Sequence, residues 1–141
     1  MPRSTDTRHA PDGELVIQIV AMPKDTNANG DIFGGWLVSH MDMGAAIAAR
    51  RRAFCRVVTV AIDSLVFYKP VNVGDTVCGY ARLLRTGTTS MQIKLEVWTL
   101  SFPNNNDGPE ENKFVAEGLF TFVAINEKGK SQPIDRHQTS A

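Results

Sequence analysis

Asp42 is a carboxylate set into an apolar run, Trp36 to Ala49, whose other strongly polar members are Ser39 and His40. On a helix its same-face neighbours are Val38, Ser39, Ala45 and Ala46, none of them basic. A carboxylate in such a place is expensive unless it has partners or a task. Either it is hydrogen-bonded to Ser39 or to sheet backbone, or it works as a general base or nucleophile with its proton affinity adjusted by partial burial. Immediately upstream stands a glycine-bearing turn, Asn29-Gly30-Asp31-Ile32-Phe33-Gly34-Gly35. A turn feeding a helix start can present free backbone N–H groups at the positive end of the dipole. Such groups hold a carbonyl oxygen as it becomes an oxyanion. The other reading of Gly34 and Gly35 is a tight loop-to-helix join.

The remaining candidates divide in the same way. Asn27 either orients water or substrate, or closes an Asx turn. His40 lies about 200° around the helix from Asp42, so the two do not share a proton within one chain. Arg50, Arg51 and Arg52 suit the negative end of a helix dipole and offer charge to an anionic ligand. Cys55 and Cys78 sit in apolar surroundings without a CxxC or Cys/His cluster and read as small buried hydrophobes. No metal-ligand set, phosphate-cradling loop, GxGxxG fingerprint or GxSxG elbow is present.

The elements that must position these groups follow from periodicity. Glu14 to Met22 is β-rich and stops at Pro23. Gly34 to about Phe54 reads as one long helix, apolar on nearly every side and therefore buried. Val57 to Tyr68 reads as a central strand covered on both faces, and Thr76 to Arg85 as the next strand. Thr86-Gly87-Thr88 turns into Ser90 to Leu100, which carries Met91, Ile93, Leu95 and Val97 on one face and Gln92, Lys94 and Glu96 on the other. A loop containing Asn104-Asn105-Asn106 leads to a last strand, Lys113 to Ile125. Short connections between the last four strands imply an antiparallel meander-like sheet, and one apolar helix with such a sheet has one economical packing: the sheet curls around the helix. Gly44, Ala45, Ala46, Ala48 and Ala49 allow a close approach. The fold class expected is α+β, a hotdog, with a disordered tail over 1–13, the domain over 14–126 and a polar tail over 127–141. One thin sheet leaves edges and a face uncovered, which implies oligomerisation.

The chain has 141 residues, 15 Lys+Arg against 15 Asp+Glu, and hence no basic excess for general nucleic-acid binding. Met1 to Asp12 has no apolar signal segment and the helix is too short to cross a bilayer, so a cytoplasmic protein without membrane insertion is expected.

Met22-Pro23, Asp25 through Trp36, and Met41-Asp42-Met43-Gly44 together resemble the signature of the YciA-type acyl-CoA thioesterases. Further matches are Arg56-Val57-Val58-Thr59-Val60, Phe67 to Pro70, Val73-Gly74-Asp75, Gly87 to Ser90, Glu96-Val97-Trp98 and Phe120 to Ala124, so that residues 15–126 are covered. The resemblance implies hydrolysis of short- to medium-chain acyl-CoA to free CoA and a carboxylic acid. It implies a dimer assembled into a trimer of dimers, and no cofactor, CoA being part of substrate and product. It puts the catalytic carboxylate on Asp42, joined by Asn27 from the opposite subunit, and the oxyanion amides on Gly34 and Gly35. Lys69 and the corner Thr88, Thr89 and Ser90 become the candidates for CoA binding. His40 stands where Gln is common and Ala45 where a second Gly is common, which bears on acyl preference. Two rivals are a hotdog enoyl-CoA hydratase or dehydratase, which needs a His–carboxylate pair, and a non-catalytic acyl-CoA-binding module.

Overall fold

The computed structural model describes residues 10–102 and 108–134. Strands β1 (Glu14–Val20), β2 (Arg56–Phe67), β3 (Thr76–Thr86), β4 (Ser90–Ser101) and β5 (Glu111–Ile125) form one antiparallel sheet, and helix α1 (Gly34–Ala53) lies across it. The sheet order is β1-β3-β4-β5-β2. This corrects the expectation that the four strands after the helix form a meander: only β3, β4 and β5 do. After α1 the chain enters β2 at the far edge, pairing with β5 from Arg56↔Ile125 to Phe67↔Ala116, and then crosses to β3.

This corrects the reading of β2 as a central strand. It is an edge, apolar on both faces, with Val58, Val60, Ile62, Val66 and Phe67 all exposed. Periodicity reports that two faces are apolar. It does not report whether the cover comes from the same chain.

The core lies between α1 and the sheet: Leu37, Met41, Ala45 and Ala49 meet Val77, Ile93, Leu95, Phe120 and Phe122. The helix is not buried all round. Met43 and Ile47 point away from the sheet and stay exposed in the single chain. The small residues do permit close approach. A Cβ on Gly44 would stand 2.8 Å from Ile17 Cδ1 and 3.0 Å from Val16 Cγ2 of β1. Alanine there gains about 1 kcal/mol of helix propensity, but overpacking costs about 1–3 kcal/mol. Gly44→Ala should therefore lower the melting temperature; calorimetry giving a higher one would show that β1 yields freely.

The outer face of the sheet is also less wet than its alternation predicts. Glu96 is fully buried there, accepting from Trp98 Nε1 at 3.0 Å and from the Asp12 backbone N–H at 3.2 Å. Lys94 bridges Asp12 (2.6 Å) and Glu96 (3.3 Å). Burial alone pushes the Lys94 pKa down, but these two carboxylates more than offset it and hold it above the usual lysine value. The segment assigned to the N-terminal tail thus includes an anchor at Asp12. Likewise, beyond residue 126 the chain folds back: Ile134 is buried and its N–H donates to Thr88 O at 2.8 Å. The asparagine run at 104–106 falls outside the described residues.

Candidate active site

The loop before α1 is held by two side chains. Asp25 is the buried carboxylate of this region. Its Oδ2 accepts the Met22 N–H at 3.0 Å and its Oδ1 meets Lys24 Nζ at 3.3 Å. The Met22 N–H, outweighing burial and aided by Lys24, holds the carboxyl below the usual range. The Asn27 Oδ1 accepts from the N–H groups of Asn29 (2.9 Å) and Asp31 (3.1 Å). That is an Asx turn, the local alternative for this residue. With the oxygen committed to the loop, the Nδ2–H donors are what Asn27 can offer elsewhere.

The loop delivers the chain through extended Phe33 into α1, which starts without a side-chain cap. The first N–H groups of a helix have no intrahelical acceptor. Gly34 and Gly35 are exposed; a Cβ on Gly35 would meet nothing within 4 Å, and one on Gly34 only the Phe67 ring. The fold does not demand glycine at these positions, so what the missing side chains provide is access to the amides. Beside Gly34 opens a groove of about 350 Å³, walled by Phe33, Leu37, Phe67, Tyr68 and Val71, with Lys69 also lining it.

Asp42 is half-buried, less enclosed than an apolar surround predicts. It accepts a hydrogen bond from Thr59 Oγ1 of β2 at 2.7 Å, not from Ser39 or from sheet backbone. Thr59 is the functional candidate that residue-by-residue reading passed over. Its signal was the unpartnered carboxylate itself, which required a donor from a neighbouring strand. His40 lies on another face of the helix, its ring tilted at 58° against Trp36 with centroids 4.5 Å apart. Burial lowers its pKa, against the pull of Asp25, so it is neutral near pH 7. Among the described residues no group of three or more His, Cys, Asp and Glu comes together.

Two separations matter. Along the axis of α1, Asp42 stands about 12 Å from Gly34. An oxyanion donor and the group attacking the same carbonyl must both lie about 3 Å from it. One chain therefore does not bring its own amides and its own carboxylate to one carbonyl. The second separation concerns the groups expected on CoA. Lys69 is tied to Val115, whereas Thr89 O accepts from Ala124 N–H and Ser90 faces Val123. Those are opposite ends of β5, about 30 Å apart. A single chain does not gather Lys69 with Thr88, Thr89 and Ser90.

Residues 29–101 match the family model described as Thioesterase superfamily. The chain belongs to that family. The thioesterase is 48% identical over 130 residues to the acyl-CoA thioester hydrolase YciA of Salmonella typhimurium, covering 92% of this chain and 96% of that one. HI0827, a hexameric broad specificity acyl-coenzyme A thioesterase solved as an Asp-to-Ala mutant, superposes with a TM-score of 0.86 at 46% identity, over 92% of this chain and 91% of that one. The acyl-CoA hydrolase of Staphylococcus aureus, solved with butyryl-CoA and CoA, gives a TM-score of 0.73 at 32% identity over 84% of this chain and 69% of that one. It has also been solved as single Asp-to-Ala and Thr-to-Ala mutants. The hotdog thioesterase seen here thus has relatives in which one aspartate, and in one case one threonine, was singled out for substitution.

Proposed function

We propose that the chain is an acyl-CoA thioesterase, hydrolysing short- to medium-chain acyl-CoA to CoA and a carboxylic acid, with Asp42 as the reacting carboxylate. The observation that carries the reading is the Thr59–Asp42 hydrogen bond. The two residues mutated in the S. aureus hydrolase stand as far apart in sequence as Asp42 and Thr59 do here. A thioester bound with its carbonyl oxygen on the Gly34 and Gly35 amides of one subunit meets Asp42 of another. Asp42 takes a proton from water as that water attacks the carbonyl carbon, or attacks the carbon itself to form an anhydride that water then opens. In either case the C–S bond breaks and the CoA thiolate leaves. Thr59 fixes which carboxylate oxygen faces the substrate. Asn27, through its Nδ2–H, orients the water or carboxylate across the interface. Lys69 of one subunit and the Thr88–Ser90 corner of another hold different parts of CoA. Acyl transfer to water by a carboxylate and backbone amides is complete without a cofactor.

The apolar β2 edge supports pairing of two copies through β2, and three such dimers make the hexamer. The domain takes in the packed segments from Asp12 to Ile134, acts in the cytoplasm and binds no nucleic acid; among the described residues no helix is long and apolar enough to cross a membrane.

The test is thiol release from an acyl-CoA series by the assembled protein. Turnover on short chains is expected, and none on any chain would overturn the reading. Within it, Thr59→Val should lower kcat about 10- to 100-fold, the worth of a hydrogen bond to a charged group, with little change in KM. Thr59→Ser should restore it. A Thr59→Val enzyme with unchanged kcat would remove Thr59 from the site.

A further inference from the structure

Leu37 stands between two apolar spaces. On one side is the groove beside Gly34. On the other is a small, half-open apolar chamber between α1 and the sheet, bounded by Ile17, Met41, Val77, Gly79 and Leu95, with His40 in its wall. Leu37 lines both, and it is 4% exposed. Its N–H donates to Phe33 O at 3.3 Å in the first turn, so its backbone is fixed relative to the amides of Gly34 and Gly35.

We propose that Leu37 is the chain-length gate of this thioesterase, separating the groove from a small apolar chamber into which the groove would otherwise continue. The inference rests on the acyl-CoA reading above. A thioester whose carbonyl meets the Gly34 and Gly35 amides has its acyl carbons within a few bonds of the groove. The groove wall there is Phe33, Leu37, Phe67 and Val71, all apolar. A chain following that wall inward runs into Leu37 within about one helical turn.

The space behind Leu37 is built to yield. As it stands, at about 10 Å³, it holds no more than about one water-sized sphere, and its lining is too apolar to keep a water. Gly79 contributes no side chain to it. Met41 is unbranched and adapts its shape readily. His40, the polar member of the wall, is kept neutral by burial and brings no charge. Removing the Leu37 side chain therefore joins the two spaces into one apolar cleft.

The test is a chain-length profile of kcat/KM. Each methylene admitted to an apolar site is worth about fourfold. Leu37→Ala should move the optimum to longer chains, with the ratio of long- to short-chain kcat/KM rising by at least about tenfold. Gly79→Ala then serves as the plug. A Cβ at Gly79 reaches Leu95 Cδ1 at 3.4 Å and Ile17 Cβ at 3.5 Å, so it fits without displacement and narrows the chamber. Added to Leu37→Ala, it should abolish the gain on long chains. If Leu37→Ala does not fold, Leu37→Val carries the same test with a smaller shift. A profile that drops uniformly at all lengths, or a gain that survives Gly79→Ala, overturns the gate. An active wild-type enzyme with such a profile leaves the acyl-CoA reading standing; a wild-type protein inactive on every chain removes both.

Discussion

Asp42→Ala should lower kcat on short acyl-CoAs by about 100- to 10,000-fold, the range by which a positioned acid or base contributes, while leaving the assembly intact. Asp42→Asn should do nearly the same. The asparagine oxygen can still accept from Thr59 Oγ1, so the side chain keeps its place and loses only its charge and basicity. The pair thus separates chemistry from packing. Asp42 is half-buried beside the edge strand β2, and removal of its side chain opens no cavity in the core. Stability close to wild type is expected for both. KM should change little, because in the proposed reaction Asp42 acts in the chemical step. If both variants keep wild-type kcat as folded oligomers, Asp42 is not the reacting carboxylate.

Val60→Asp should be as damaging to activity without touching any group that meets substrate. Val60 is 56% exposed in the single chain, in the middle of the apolar β2 edge, and Val58 and Ile62 beside it are also exposed. An aspartate there costs the isolated chain little. In an assembly paired through β2 it becomes an unpaired buried charge, a penalty of several kcal/mol. At about 1.4 kcal/mol per tenfold, that weakens association roughly a thousandfold. Because the amides at the start of α1 and the carboxylate farther along it lie about 12 Å apart in one chain, dissociation should abolish turnover. Light scattering should report a smaller species with the far-UV spectrum of the folded chain, and activity should fall with it. A dissociated protein that turns over normally would show that one chain holds the whole site. A full-size, fully active assembly would show that β2 is not its interface.

The elements themselves were legible in the residues. Gly34 to about Phe54 as one helix, the hairpin at Gly87 and the inward face Met91, Ile93, Leu95 and Val97 all follow from period and turn chemistry, which are local. The turn and the carboxylate at Asp42 were legible because glycines before an apolar helix, and a charge within it, are conspicuous by type. The place of β2 was not legible. A run apolar on both faces looks the same whether its second cover is a helix of its own chain or another subunit. The burial of Glu96 was not legible either, because alternation marks which face a residue is on and not what packs over that face. Asp12, which does so, lies far away in sequence.

The sequence by itself determined the element types, the one-helix-on-sheet class, and the presence of a carboxylate within the helix and a glycine turn before it, since each depends on residues within a few positions of one another. The tertiary structure decided the rest. It set β2 at the edge against β5, brought Thr59 to Asp42, gave the Asn27 oxygen to its own loop and put Leu37 between two cavities. Those outcomes depend on which distant strands pair and in what register, and a register is fixed only when the whole sheet closes on the helix.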